Sequence, residues 1–409
     1  MTAQTQQHES QLHHEPNNPV FRYWVLVGMV LIAGFSQGML LPVLAVMLEQ
    51  AGVSSSANGL NAAALYIGIL LISPFIERPV RTFGYKPVII TGLLILTVSL
   101  MLFPLWQAFW FWFVLRLIVG IGDNLIHFST QVWISTTSSK AKRGRQLAMY
   151  GLAFGMGFGL GPLMTSLLAV HEYLPFIIAS ASSVVAWVFI LFLRNEWPDN
   201  DLGTAGQMNT LARYKKVMQL AWFAFLPSFC FGYLEASLHG NYPVYAMRTG
   251  IDLEWAAILL SSFVFGSLLT QIPLGMLSDR IGRSKVLKII ISLGLASFLT
   301  MSFAESNMWL LLGCFIFAGM LLGSLFSLAV AYMADLLPAA LLPTGNVMMG
   351  VMFALGSMTG PTAGGFFIEV IGDGAIYYSI SGILIVMLAG AFIFDLTTGR
   401  ENKEASEAA

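Results

Sequence analysis

The chain has 409 residues, of which 57% are hydrophobic and only 10% are charged, and its mean hydropathy is +0.76. Because soluble domains carry about 25% charged residues, this composition excludes a soluble globular fold and indicates a protein that crosses the membrane many times. The formal net charge is −1 and the sequence has no basic stripe, so it gives no reason to expect nucleic acid as a partner. The lipid bilayer is the expected partner.

The first 20 residues are polar and are expected to form a disordered cytoplasmic N-terminus. They lack the basic and small-residue regions of a signal peptide, so the first helix should stay in the mature protein. Two cysteines, Cys230 and Cys314, lie in apolar runs. This setting favours free thiols over a disulfide framework, and the sequence predicts no metal site.

The apolar runs have the length of membrane helices, which need about 20 mostly apolar residues each. Cutting the chain at charge clusters and turn residues predicts twelve helices, over residues 21–48, 58–78, 85–105, 107–137, 143–170, 173–194, 218–246, 254–277, 285–304, 307–334, 342–370 and 374–397.

Lysine and arginine are concentrated in alternate loops. The segments "RPVRTFGYK", "KAKRGR" and "DRIGRSKVLK" fall on one side, whereas the loops on the other side carry only Arg248. By the positive-inside rule, the basic loops and both termini are cytoplasmic. The predicted domains are an N-terminal six-helix bundle over 21–194, a cytoplasmic linker over 195–217, a C-terminal six-helix bundle over 218–398 and a cytoplasmic tail over 399–409.

The two halves of the chain carry matching landmarks. Gly84 and Gly282 are separated by nearly the same distance along the chain as Gly120 and Gly319, and "GFGLGPLMTS" matches "GSMTGPTAGG" with a similar offset. Such a duplication predicts an all-α membrane protein with two pseudo-symmetric six-helix bundles. Its binding site is then expected between the bundles, near the middle of the membrane.

Three motifs resemble signatures of the major facilitator superfamily. "GMLSDRIGRSK" resembles the loop signature G-x-L-x-D-R-x-G-R-[KR], and "RLIVGIGD" resembles the helix-four signature R-x-x-x-G-x-G. "GMGFGLGP" in helix five resembles the motif of the twelve-helix drug:proton antiporters. Two departures stand against full agreement. Val80 occupies the place that Asp279 fills in the second half, and the complete form "GPTAGG" occurs in helix eleven instead of helix five.

These motifs predict a conformational switch. Asp279 can cap a helix and accept charge-assisted bonds from Arg280 or Arg283, which would make a latch on the cytoplasmic side. The glycine-rich faces allow close approach of neighbouring helices. The alternatives are a positive-inside anchor for the loop and plain packing for the glycines. The expected switch residues are Gly275, Asp279, Arg280, Gly282, Arg283, Gly157, Gly161, Pro162, Gly360 and Pro361.

Three ionisable residues lie within the predicted spans: Arg116, Asp123 and Glu235. An ionisable side chain at the bilayer centre costs on the order of 3 kcal/mol on insertion scales, which indicates function. The second-half counterparts of Arg116 and Asp123 are Phe315 and Leu322, so the two charges occur only once. A purely structural role would be expected in both halves of a repeat. We therefore predict that the three residues couple proton movement to transport. The alternative is that Arg116 and Asp123 only neutralise each other.

Other polar residues on helices one, four and seven are expected to line a cavity for a small-molecule substrate. For the two histidines the alternative is an ordinary hydrogen-bonded position within a helix. The expected cavity residues are Gln37, Asn124, His127, Gln131, His239, Asn241 and Tyr242.

The resemblance implies a multi-pass transporter of the bacterial cell membrane that works by alternating access. The leading hypothesis is proton-coupled efflux of lipophilic or amphipathic molecules, of the multidrug type, by a monomer without a cofactor. Export of a specific sugar, siderophore or lipid-linked metabolite remains an alternative, as do an uptake symporter or uniporter and a membrane receptor that does not transport. The sequence contains no nucleophile–base set, P-loop or metal-ligand cluster that would predict an enzyme.

Overall fold

The computed structural model describes residues 18–198, 210–372 and 374–407. The N-terminal segment expected to be disordered lies outside these ranges except for its last residues, which begin the first helix, and the middle of the predicted linker also lies outside. Twelve helices in the described ranges are long and apolar enough to cross a membrane: α1 Pro19–Gln50, α2 Ser55–Ile72, α3 Tyr85–Leu105, α4 Phe109–Thr137, α5 Lys142–Ala169, α6 Leu174–Leu191, α7 Ala212–Thr249, α8 Leu253–Ile281, α9 Arg283–Ala304, α10 Met308–Leu336, α11 Leu342–Ile371 and α12 Ala375–Leu396.

The predicted number of membrane helices is confirmed, and most bounds differ from the prediction by a few residues. The largest shifts are in α7 and α2. α7 begins six residues earlier and ends three residues later than the expected 218–246. α2 begins three residues earlier and ends six residues earlier than the expected 58–78. At its start, the Ser54 side chain accepts a hydrogen bond from the Ala57 amide and caps the helix. At its end, Ser73 still has helical backbone angles, and Pro74 follows in a turn, because proline has no amide proton to continue the helical hydrogen bonds.

Four of the described helices contain irregular segments. α3 ends in a 3₁₀ turn over Phe103–Leu105. α5 changes from an α-helix to a 3₁₀-helix at Gly161, next to Pro162. α10 is interrupted after Leu322 and resumes at Leu325. The helix that contains α7 already begins at Thr210, within the stretch assigned to the linker, and bends at a non-helical residue, Ala221.

Successive crossings of the membrane by twelve helices return the chain to the side where it started. Both ends of the helical array therefore lie at one face, called the termini face below; the other is called the opposite face. The loops between α2 and α3, α4 and α5, α8 and α9, and α10 and α11 belong to the termini face. That this face is cytoplasmic stays a prediction from the lysine and arginine distribution.

The repeat between the bundles α1–α6 and α7–α12 extends to atomic packing. A Cβ atom added to Gly120 of α4 would lie 1.9 Å from the Leu65 carbonyl oxygen of α2. One added to Gly319 of α10 would lie 2.0 Å from the Phe263 carbonyl oxygen of α8. In each bundle, two helices thus touch backbone to backbone at a glycine, as small residues at membrane helix contacts allow.

The same two-fold relation holds in the short loops at the termini face. Gly84 before α3 has a φ of +84°, and Gly282 before α9 has a φ of +96°. Residues with a side chain rarely adopt these angles, so glycine is required at both turns.

The first-bundle turn is held by residues from the far end of that bundle. The Lys86 amide donates to Asn195 Oδ1 at 3.1 Å, and Asn195 Nδ2 donates to the Phe83 carbonyl at 2.7 Å. The Tyr85 amide donates to the Glu196 carbonyl at 2.9 Å. Asn195 therefore caps α3 from outside the loop, in which Val80 stands in place of the aspartate of the loop signature.

Glu196 adds a side-chain anchor to this arrangement. Its carboxylate accepts from Arg22 Nη1 and from Trp133 Nε1, both at 2.7 Å. The segment 194–198, called the strap below, is thereby fixed to α1, α3 and α4 of the first bundle.

Candidate functional site

The two bundles meet along four helix pairs in the described ranges: α1 with α7, α2 with α7, α2 with α11, and α5 with α8. Ion pairs and hydrogen bonds join them at the opposite face. Arg248 Nε at the end of α7 lies 2.7 Å from Glu49 Oε1 at the end of α1. The Ser56 hydroxyl at the start of α2 donates to Glu369 Oε2 of α11 at 2.5 Å.

Backbone contacts continue this closure toward the middle of the membrane. A Cβ atom added to Gly59 would lie 2.1 Å from the Pro361 carbonyl oxygen, and one added to Gly365 would lie 2.1 Å from the Ser55 carbonyl oxygen. Because α2 and α11 leave no room for even a methyl group at these points, the bundles are sealed on the opposite-face side.

A cavity of about 330 Å³ lies between the bundles on the side of the termini face. It is formed by α5 of the first bundle and by α7, α8, α10 and α11 of the second. Five phenylalanines supply most of its apolar wall: Phe154, Phe158, Phe231, Phe326 and Phe353. Its polar side chains are Glu235, Ser267, Gln271 and Ser327.

Glu235 is the acidic residue of this cavity and lies on α7, as the sequence predicts. It is half-buried, and its carboxylate forms no hydrogen bond within the described part of the chain. Its backbone carbonyl accepts a bond of 2.8 Å from His239 Nδ1. The carboxylate is therefore free to meet a proton or a ligand in the cavity.

Arg116 is fully buried and points away from Asp123, toward α1. Its Nη2 donates to the Leu40 carbonyl at 2.9 Å and approaches the Leu41 carbonyl at 3.4 Å. These carbonyls directly precede Pro42, which lies inside the helix. Arg116 Nε and Nη1 have no hydrogen-bond partner among the residues described. The alternative that Arg116 and Asp123 form a neutralising bridge is thus not the arrangement found here.

Asp123 is 3% exposed and faces His127, one helical turn nearer the termini face. His127 Nε2 lies 3.8 Å from Asp123 Oδ1, and His127 Nδ1 lies 2.9 Å from the Tyr150 hydroxyl of α5. The His127 ring also packs against Phe154, with 4.9 Å between ring centroids. Through Phe154 this cluster adjoins the cavity that holds Glu235.

Tyr66 on α2 is near both Glu235 and the α4 residues Arg116 and Asp123. The sequence analysis missed it. Its side chain is 1% exposed, and its hydroxyl faces Ser357 of the second bundle. Glu235, Arg116 and Asp123 all lie within electrostatic range of that hydroxyl. A tyrosine in the middle of an apolar span was a usable signal, because a buried phenol hydroxyl usually needs a polar neighbour.

The other predicted residues of α7 do not line the cavity. Asn241 is 1% exposed, and its Nδ2 donates to the Pro361 carbonyl at 3.1 Å. Tyr242 is fully buried among aromatic rings of the second bundle. His239 is fully buried as well and contacts Phe158, with 4.8 Å between ring centroids. Sequence alone does not reveal which neighbour each face of α7 contacts.

The remaining predicted polar residues have separate surroundings. Asn124 ties α4 to α2, because its Nδ2 donates to the Ile69 carbonyl at 3.0 Å and to the Ser73 hydroxyl at 2.9 Å. Gln37 is buried in α1, and Gln131 is exposed at the termini-face half of α4. None of these three lines the cavity.

The loop between α8 and α9 forms an ion-pair cluster inside the second bundle. Arg283 contacts Asp279 at 3.1 Å and Asp335 of α10 at 2.5 Å. Arg280 is exposed, and Gly275 faces open space. The latch expected from the motif therefore joins α8, α9 and α10 in this conformation.

The expected glycine–proline faces lie at helix contacts. Gly157 packs on the Leu31 carbonyl of α1, where an added Cβ atom would lie 1.9 Å away, and Gly161 packs on Gly38 of the same helix. Gly360 packs on the Tyr233 carbonyl of α7 in the corresponding way. These contacts join helices within each bundle.

Comparisons with known proteins agree with this architecture. The family model described as Major Facilitator Superfamily matches residues 26–261 and 224–409. The chain belongs to the major facilitator superfamily. Members of this superfamily are transporters and not enzymes, so the chain is a multi-pass membrane transporter, and the two relatives described next are bacterial.

Two relatives cover most of this transporter. The MFS-type transporter YfkF of Bacillus subtilis (strain 168) is 45% identical over 361 residues, which are 88% of this chain and 92% of YfkF. The MFS-type transporter YcaD of Salmonella enteritidis PT4 (strain P125109) is 24% identical over 351 residues, covering 83% of this chain and 87% of YcaD.

Two solved structures share the transporter's fold. The nucleoside transporter NupG, crystallised as a point mutant, superposes with a TM-score of 0.71 at 16% identity and covers 91% of this chain and 99% of its own. A bacterial homolog of the human lysosomal transporter Spinster, in an inward-facing and unoccupied conformation, gives a TM-score of 0.65 at 15% identity, over 91% and 95% of the two chains.

Proposed function

We propose that this transporter exports lipophilic or amphipathic cations in exchange for protons. The observation that carries the proposal is the carboxylate of Glu235 in a phenylalanine-lined cavity between the bundles. A cavity of about 330 Å³ lies at the lower end of the range for small-molecule sites, which suits a compact ligand.

The chemistry of the wall favours a flat aromatic cation. Phenylalanine rings attract a cation through their negative faces, by about 0.5–2 kcal/mol each when the site is desolvated. A single carboxylate supplies the matching charge. Serine and glutamine side chains at the rim offer hydrogen bonds without fixing one substrate shape.

Competition for one charge can couple the two fluxes. An ionised carboxylate in an apolar cavity loses hydration and is costly unless it is neutralised. Either a proton or a substrate cation can neutralise Glu235, so binding of one displaces the other. Asp123 provides a second proton site, and Arg116 and both carboxylates lie within electrostatic range of the Tyr66 hydroxyl.

Alternating access then needs the seal at the opposite face to open. In the conformation described, Glu49 and Arg248 close that face while the cavity lies on the termini-face side. If the termini face is cytoplasmic, as the basic loops predict, this is the conformation that loads substrate from the cytoplasm. The proton gradient is the energy source of the proposal, and one chain supplies both halves of the site.

The alternatives from the sequence gain less support. A hydroxylated substrate such as a sugar or siderophore was expected to bond the α7 residues Glu235, His239, Asn241 and Tyr242. Of these, Glu235 lines the cavity, whereas Asn241 and Tyr242 are packed away from it. Uptake and a receptor role remain distinguishable by flux measurements. Because NupG is a nucleoside transporter, uridine is a suitable neutral comparison.

The test uses the purified protein in liposomes with ethidium, a lipophilic aromatic monocation, as the probe. An imposed pH gradient should drive ethidium accumulation, and Glu235→Gln should abolish it. Glu254→Gln removes an exposed carboxylate at the start of α8 and should leave accumulation unchanged. Uridine accumulation without ethidium accumulation, or full activity of Glu235→Gln, would refute the proposal.

A further inference from the structure

Asp123 is enclosed more completely than Glu235. It is 3% exposed, and its carboxylate forms no hydrogen bond among the described residues. The titratable group beside it is His127, whose Nε2 lies 3.8 Å from Oδ1. This separation is longer than a hydrogen bond, and a small rotation of the imidazole or one water molecule would close it.

Tyr150 holds the ring of His127 in place. The Tyr150 hydroxyl lies 2.9 Å from His127 Nδ1 and 3.2 Å from the His127 backbone carbonyl, and it has one proton to donate. When that proton goes to the carbonyl, the hydroxyl accepts from Nδ1. With its proton on Nδ1, neutral His127 presents the Nε2 lone pair to Asp123.

His127 adjoins the cavity without lining it. Its side chain is 23% exposed, and its ring packs on Phe154 of the cavity wall. Nε2 itself is buried and has no hydrogen-bond partner within the described ranges. One side chain thus lies between an enclosed acid and a wall residue of the cavity on the termini-face side.

We propose that His127 carries protons between Asp123 and water in the cavity. This inference rests on the proposed proton-coupled function. The O–H bond of protonated Asp123 breaks as an N–H bond forms at Nε2, which leaves a carboxylate beside an imidazolium. The imidazole ring then turns toward the cavity and gives this proton to water. One proton leaves Asp123, and His127 returns to its neutral state.

The surroundings of His127 allow this cycle. The titratable groups described as facing the ring are Asp123 on the same helix and Tyr150 on α5. Tyr150 is further fixed by Thr130 Oγ1 at 3.1 Å. Tyr150 is therefore a positioning residue, which orients the imidazole ring without receiving the proton.

The experiment compares two transport modes in liposomes with ethidium as the probe. Exchange of ethidium without a pH gradient needs no net proton release, whereas accumulation driven by a pH gradient does. For His127→Gln we expect exchange within about twofold of the wild type and gradient-driven accumulation slower by about 100-fold. His171→Gln changes a histidine in an opposite-face loop and should affect neither mode.

Chemical rescue separates proton transfer from packing. His127→Ala leaves a space of imidazole size, and added imidazoles of increasing basicity should restore gradient-driven accumulation in that order. Pyrrole has a similar shape without a basic nitrogen and should not restore it.

Three results would overturn the inference: unchanged gradient-driven accumulation in His127→Gln, equal loss of both modes, or equal rescue by pyrrole. A wild-type protein that shows no gradient-driven accumulation would instead refute the proposed function and, with it, the role of His127.

Discussion

The guanidinium of Arg116 donates to the Leu40 carbonyl at 2.9 Å and forms no bridge to Asp123. A buried cation on α4 is therefore bonded to the backbone of α1, immediately before the helix passes through Pro42. Its charge lies within electrostatic range of the Tyr66 hydroxyl, and so do the carboxylates of Asp123 and Glu235. Arg116 thus links the proline-containing part of α1 to the acidic groups of the proposed proton pathway.

Replacing Arg116 by methionine should separate stability from transport. A buried charge carries a large desolvation penalty, so an apolar side chain of similar length is expected to keep or raise the melting temperature. Loss of the positive charge should slow proton release and reduce gradient-driven ethidium accumulation about tenfold or more. Arg81→Met, which alters an exposed pair with Glu77, is the control. A fall in both properties together would indicate a structural role.

The pair between Glu49 and Arg248 should stabilise the closed opposite face. Exposed ion pairs contribute about 0.2–1 kcal/mol, so Glu49→Gln should raise the open fraction by about 1.4-fold to fivefold. The readout is labelling of Ala62→Cys, buried at the interface, by a membrane-impermeant maleimide after both native cysteines are changed to serine.

Two further variants test this assignment. The combined exchange Glu49→Arg and Arg248→Glu should restore slow labelling, and Glu254→Gln on the same face should not change it. Fast labelling in the exchanged pair would show that the ion pair does not hold the face closed.

The glycines of α10 should respond differently to alanine. At Gly319 a methyl group would lie 2.0 Å from a carbonyl oxygen of α8, so Gly319→Ala should destabilise the protein by about 1–3 kcal/mol. At Gly313 nothing lies within 4 Å, so Gly313→Ala should be neutral or stabilising by up to about 1 kcal/mol. Thermal denaturation in detergent measures both. Equal melting temperatures would contradict the close packing of α10 on α8.

Asn195 should protect the start of α3. Asn195→Ala removes the cap of the Lys86 amide and should cost about 1 kcal/mol, with faster hydrogen exchange at Tyr85 and Lys86. Asn307→Ala removes a comparable cap from α10 at the opposite face and should leave exchange at Lys86 unchanged. Unchanged exchange in Asn195→Ala would mean that the strap does not hold the turn.

The fold could be predicted from sequence because each span is set by local properties. Hydropathy marks the helices, and the turn glycines Gly84 and Gly282 mark the repeat. The end of α2 was misplaced because the apolar run continues into the turn around Pro74, where hydropathy alone gives no boundary.

The site was predictable only in part. Glu235 was recognised as an acid in an apolar span, and the structure places it in the cavity. The direction of Arg116 and the burial of Asn241 could not be predicted, because a polar residue on a helix does not reveal which neighbouring helix it faces. Asn195 was missed for a similar reason, since its partners Phe83 and Lys86 are remote in the sequence.

The strap also shortens the covalent connection between the two bundles. With Glu196 held to the first bundle, the connection to the second runs from Glu196 to Thr210, where the helix that contains α7 begins. These fourteen Cα-to-Cα steps span about 50 Å at most. The covalent connection therefore limits how far the bundles can separate at the termini face. Tension along it would be borne by the hydrogen bonds of Glu196 with Arg22 and Trp133.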